Sequence, residues 1–169
     1  MLDSLSTGAE SRLLVERLAA LIKAGKPFDI VCEEIRAYHE HTHLLFALES
    51  LANLARNGRV KPAVAAVARM LGIRVIGHAS EAGELDVICK TRGEHGALER
   101  IVLELKAHGY TNCKVNISHC GNPAAAERLK HMIEAVFEGA RVVVTECGGL
   151  CSYYAELGGL LIGYEDGEA

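Results

Sequence analysis

His39, His41 and His43 alternate within a five-residue stretch. On a strand, alternate residues point to one face, and three imidazoles there could converge on a metal ion. On a helix only His39 and His43 share a face. The periodicity before them is helical, and a helix C-terminus suits polar and cationic side chains, so the triplet reads as a solvated helix end. Glu40, the nearest carboxylate, points away from the imidazoles on either geometry. Cys147 and Cys151 have a spacing that a structural zinc could use, and Cys113, Cys120 and His119 sit at the two ends of a neighbouring strand. The second cysteine pair is too widely spaced for a tight knuckle. Buried free cysteine acting as a small hydrophobe is the commoner use. No metal is therefore expected, and a metal-dependent enzyme built on His39, His41 and His43 or on the cysteine cluster stands as the alternative reading. A cysteine nucleophile at Cys151 or Cys120 would need a base and a positive environment, which the sequence does not display. Ser118-His119-Cys120-Gly121 closes a strand just before a helix, where α/β sheets often bind ligands; His119 suits a strand-end residue equally well.

Arg59, Lys61, Arg69, Arg74, Lys90 and Arg92 form a local basic patch, suited to a carboxylate, a phosphate or an acidic partner. The chain as a whole is acidic, with 22 Asp and Glu against 18 Lys and Arg and a net charge of −4. That balance argues against a nucleic-acid partner. No phosphate-binding G-x-x-x-x-G-K-[ST] loop, no G-x-G-x-x-G and no G-x-S-x-G elbow occurs. No apolar run approaches the roughly 20 residues of a membrane span, and no basic start leads into an apolar stretch. The six cysteines are too sparse for a disulfide scaffold. They are expected to be reduced, in a cytoplasmic protein.

The elements that must position these groups are legible in the periodicity. Leu13, Leu14, Leu18, Leu21 and Ile22 make one stripe of an amphipathic helix that Gly25 stops. Ile30, Val31, Ile35 and Tyr38 give a second helix its apolar side, opened by Pro27. Leu44–Leu48 suits a short strand, Ser50–Ala55 a turn or two of helix, Asn57-Gly58 a turn, and Pro62–Leu71 a helix. Ile73–His78 and Leu85–Thr91 read as a hairpin about Ser80–Gly83. Then follow a helix over Ala97–His108, a strand over Cys113–Ser118, and a helix from Asn122-Pro123 to Phe137. A strand over Arg141–Thr145, a Gly148-Gly149 loop and a last strand within Leu157–Tyr164 complete the chain. The expected fold is α/β: one mixed β-sheet covered by helices, with residues 1–45 as a helical lead-in and 46–169 as the sheet core of a single domain.

The chain resembles the fatty-acid-binding DegV family. Leu2-Asp3-Ser4-Leu5-Ser6-Thr7-Gly8 resembles that family's Asp-Ser segment before a long helix. Leu48–Ile76, LESLANLARNGRVKPAVAAVARMLGIRVI, resembles its leucine-rich turn, Gly-Gly-Arg-Ile step, alanine-rich helix and closing strand. Gly83–Ala97, GELDVICKTRGEHGA, resembles its hairpin with a Lys-x-Arg pair, and Thr145–Tyr164 its terminal loop and strand. Asn57-Gly58-Arg59 stands where the family usually has Gly-Gly-Arg. Tyr154-Ala155-Glu156-Leu157-Gly158 stands where it has His-Thr-Gly-Pro-Gly, so Tyr154 replaces the histidine of the lipid head-group site. A phenol donates a hydrogen bond to a carboxylate but carries no positive charge.

The resemblance implies a DegV-like C-terminal domain without the family's N-terminal lobe. It implies a non-enzymatic carrier that binds a long-chain fatty acid and presents the acyl carboxylate to a fatty acid kinase, with no cofactor. Arg59, Tyr154, Ser4 and Arg92 are then the expected head-group or partner contacts, and Ala63, Ala66 and Val67 the expected slot lining. Small residues there leave room for an acyl chain, whose burial yields about 0.8 kcal/mol per methylene; they equally permit close helix packing. An open slot is an apolar patch, so self-association as a homodimer is also expected. An interaction lobe that keeps the fold and has lost lipid binding is the remaining alternative.

Overall fold

A computed structural model describes residues 3–60, 72–80 and 82–167 of the 169-residue chain. The helix expected over Pro62–Leu71 lies outside them. In chain order the described elements are α1 (Gly8–Lys23), α2 (Phe28–His39), β1 (Thr42–Leu48), α3 (Ala52–Arg56), β2 (Ile73–Ala79) and β3 (Leu85–Arg92). There follow α4 (Glu94–Ala107), β4 (Lys114–His119), α5 (Pro123–Val136), β5 (Arg141–Glu146), α6 (Gly149–Ala155) and β6 (Leu160–Glu165). The strands form one six-stranded sheet in the order β3-β2-β1-β6-β4-β5. Every pairing is antiparallel except β4 with β5, so the sheet is mixed and the fold is α/β. No helix among the described residues is long and apolar enough to cross a membrane.

Side-chain alternation assigns the two faces. Leu45 and Ala47 of β1, Val115 and Ile117 of β4, and Leu160 and Ile162 of β6 face one core, which α4 and α5 cover. Leu44, Phe46 and Leu48 of β1, Val75 of β2 and Leu161 of β6 face the other, under α1, α3 and α6. The lead-in helices belong to this second layer. Helix α1 lies on β6 and β4 with Ala9, Leu13, Leu14 and Leu21 buried, while Ile22, expected on that stripe, is exposed. Helix α2 buries Val31 and Ile35 against α1, and Ile30 faces solvent. The division expected at residue 45 falls inside β1, a central strand.

Two details fix how α1 sits. A Cβ on Gly163 of β6 would fall inside the backbone of Ala9 and Glu10, so glycine is required for this close approach. Glu10, 3% exposed, accepts hydrogen bonds from the Ser6 and Thr42 hydroxyls, the latter at 3.0 Å, and so joins α1 to β1. At the far end of the sheet Asn122 caps α5 by accepting from the Ala125 N–H at 3.3 Å, as the Asn-Pro pair predicts.

Helix α6 arises where the sequence reads a loop. Its Gly-Gly start is a poor helix opener, but Ser152 turns back to donate to the Cys147 and Gly148 carbonyls at 2.8 and 3.1 Å. The helix is then held against α3. The Asn53 backbone N–H donates to Glu156 at 2.9 Å, and the Asn53 side chain donates to the Tyr153 carbonyl at 2.8 Å.

Candidate functional site

The α1 side of the sheet is not completely filled. Beside α1, over β1, lies a cavity of about 350 Å³, at the small end of the ligand-pocket range. Leu44, Phe46 and Leu48 form its floor and Leu161 one flank; Leu54, Leu85 and Ala155 add walls, and the 3–7 segment crosses its rim. These residue types offer an elongated guest dispersion contacts and few hydrogen bonds. Its polar groups sit on the rim: Arg59 just after α3, and Tyr154 near the end of α6. The Asp3 carboxylate, also on the rim, accepts from the Leu5 N–H at 3.1 Å.

The structure brings Arg59 and Tyr154 to this one slot, although 95 residues separate them in sequence. Ser4 does not join them. It lines a second cavity, where its hydroxyl donates to the Ser6 carbonyl at 3.4 Å. Arg92 ends the edge strand β3, exposed and away from the slot. Ala63, Ala66 and Val67 lie outside the described residues, as do Lys61 and Arg69.

Arg74 leaves the basic patch altogether. It is 8% exposed, pairs with Glu49 and, at 3.0 Å, with Glu94, and donates to the Gly158 carbonyl at 3.2 Å. Glu94 also receives Asn122 at 3.0 Å and pairs with Arg128. This network clamps the loop after α6 at Gly158.

The cysteines are all free. Cys113 precedes β4 and Cys120 follows it, so the two stand at opposite ends of that strand. Cys120, Cys147 and Cys151 pack instead behind the slot, and Cys151 lies on its wall, 3.3 Å from the Thr7 hydroxyl. Burial, then the neighbouring Cys151 and Cys120 thiols and Glu146, push the Cys147 thiol up to about 12. That is the environment of an inert thiol, not of a nucleophile. His119 is buried on the α5 side by alternation with Val115 and Ile117. Its Nδ1 has no hydrogen-bond partner among the described residues.

The histidine triplet divides. His39 closes α2 with Nδ1 3.3 Å from the Thr42 hydroxyl. His41 and His43 both meet Asp166, at 3.2 and 3.0 Å. That carboxylate is invisible to local pattern, because it lies more than 120 residues away in sequence and arrives only when β6 pairs with β1. No group of three or more His, Cys, Asp or Glu among the described residues is arranged to hold a metal ion.

Residues 1–165 match the family model described as uncharacterised protein, DegV family. A DegV domain-containing protein of Streptococcus pyogenes serotype M1 is 41% identical over 165 residues, covering 98% of this chain and 59% of that protein. The chain thus spans about three fifths of the length of the curated relatives it matches. Among solved structures, a DegV family protein from Eubacterium eligens loaded with heptadecanoic acid superposes with a TM-score of 0.95 at 42% identity, over 98% of this chain and 60% of that one. The Fatty Acid Kinase (Fak) B3 protein of Streptococcus pneumoniae, loaded with linoleic acid, superposes with a TM-score of 0.94 at 41% identity, over 97% and 58%.

Proposed function

The chain belongs to the DegV family, and on that premise we propose that it is a fatty-acid carrier lobe, with no catalytic step of its own, that presents a bound acyl carboxylate to a fatty acid kinase. The observation that carries this reading is the apolar slot over β1 with Arg59 and Tyr154 on its rim, in a fold whose relatives at about 40% identity hold long-chain acids.

The physics runs in the same direction. An acyl chain laid over Leu44, Phe46, Leu48 and Leu161 leaves water at about 0.8 kcal/mol per methylene. A carboxylate stays at the rim, where the Arg59 guanidinium and the Tyr154 hydroxyl donate and solvent completes its shell. Arg92, exposed on the edge strand, is the partner contact in this reading. The setting is cytoplasmic. The slot meets solvent at its rim, where Leu150 of its lining is exposed. In this reading a second copy covers the mouth.

The test is titration of the purified chain with oleic acid, followed by native mass spectrometry. One acyl chain per protomer, weakened by Arg59→Ala, is the expected result. Absence of any bound acid at saturating oleate overturns the reading, and stoichiometric zinc in its place favours a metal enzyme.

A further inference from the structure

The slot does not end in the core. Leu48, Phe46, Leu44 and Thr42 alternate along one face of β1, a path of about 20 Å at roughly 3.3 Å per residue. The first three line the slot, and the last two line a second cavity of about 480 Å³ that wraps the start of β1 and the end of β2. The two cavities share Leu5, Ser6, Leu44 and Ala79 as a common wall. Leu5 is the yielding part of that wall: it is half exposed, belongs to no helix or strand, and rests on Gly83.

The second cavity has a different chemistry. His39, His43, His78 and His108 line it together with Thr42 and the Glu10 carboxylate. His78 has no hydrogen-bond partner among the described residues, and His39 and His108 each use only Nδ1, toward Thr42 and the Glu104 carbonyl at 2.8 Å. His39, bonded to Thr42, brings a ring nitrogen to the slot's own face where the apolar floor stops, and His43, His78 and His108 line the cavity from the α4 face.

We propose that this polar cavity receives a hydroxyl carried on the distal half of the acyl chain, so that the slot and the cavity together select hydroxylated long-chain fatty acids. The inference rests on the fatty-acid reading above and adds the ligand class. A wholly apolar slot would bury an added hydroxyl without a partner, which disfavours the hydroxylated acid. A slot that opens onto imidazoles and Thr42 gives that hydroxyl a donor and an acceptor, which favours the hydroxylated acid. The sign of the preference therefore separates the two arrangements.

The experiment titrates the purified chain with oleic acid and with ricinoleic acid, its hydroxylated counterpart, by calorimetry. Ricinoleic acid is expected to bind more tightly, by roughly two- to tenfold, the equivalent of one net hydrogen bond. His39→Leu is expected to abolish the difference while oleic acid binding is unchanged, since His39 does not line the slot. His78→Leu is the second variant, read in the same way and usable if the first fails to fold. Oleic acid binding as well as or better than ricinoleic acid overturns this inference and leaves the carrier reading standing. Failure of both acids to bind overturns the two together.

Discussion

The Arg74 guanidinium donates to the Gly158 carbonyl at 3.2 Å, across 84 residues of sequence. One buried cation on β2 thus holds the loop that follows α6, with Glu49 and Glu94 completing its shell.

Arg74→Met should therefore act at two levels. It leaves Glu94 without its buried partner and the Gly158 carbonyl with only Asn122 at 3.4 Å. A loss of about 2–3 kcal/mol of stability is expected in urea denaturation. Proteolysis should also become faster at the loop after α6, because the Gly158 carbonyl loses its buried donor.

Arg59→Ala should lower oleate affinity by roughly five- to tenfold, equivalent to about 1–1.4 kcal/mol from one partly solvated charged hydrogen bond. Arg59 is exposed and packs into no core, so the urea midpoint should not move. Arg59→Lys keeps the charge and loses the fork, and should fall between the two. Unchanged affinity in both variants removes Arg59 from the site.

Gly163→Ala is expected to destabilise more than a surface substitution of the same size, by about 2 kcal/mol or more. The added methyl meets backbone atoms of Ala9 and Glu10, which cannot rotate away. Thermal unfolding checks this. Gly25→Ala meets no atom but carries a φ of 69; its cost is therefore backbone strain of about 1–2 kcal/mol.

Cys147 sets a pH dependence. Its folded thiol is pushed up to about 12, above the ordinary 9.0, by burial first and then by Cys151, Cys120 and Glu146. Between those values the folded chain keeps a proton that the unfolded chain releases, so stability falls as pH rises through that window. The decline should be shallower in Cys147→Ala. Alkylation by iodoacetamide near neutral pH should reach Cys151 before Cys147, as read by peptide mass spectrometry.

Leu150, Tyr153 and Leu157 stand exposed on and beside α6. Sedimentation should show concentration-dependent association, and Leu150→Ser with Leu157→Ser should shift it toward monomer. A monomer at all concentrations rejects the covered-mouth arrangement.

The elements were legible where local chemistry decides them. A run of β-branched residues marks β5, Val115 and Ile117 alternating with polar residues mark β4, and Asn122-Pro123 marks the start of α5. The site was legible only in part. Arg59 stands in a segment that resembles the family, whereas Tyr154 stands where the family has histidine, and only the fold brings the two to one slot. Arg74 looks like one more surface cation, because Glu49 and Glu94 reach it only across the sheet. Asp166 was unreadable as the partner of His41 and His43 for the same reason. Helix α6 is not legible in the sequence because its stability comes from Ser152 and α3, not from the helix propensity of Gly-Gly-Leu-Cys.

The strand order has a consequence for how the molecule is made. Strand β6 is the last in sequence, yet it lies between β1 and β4 and pairs with both. During synthesis β1, β2 and β3 can pair as they emerge, and so can β4 and β5, but the two groups have no shared edge until residues 160–165 appear. Until then two hydrogen-bonding edges and the underside of α1 face the surroundings together, the condition under which nascent chains aggregate. Closure is thus a single late event with long loops to gather, and it should limit the folding rate of the whole chain.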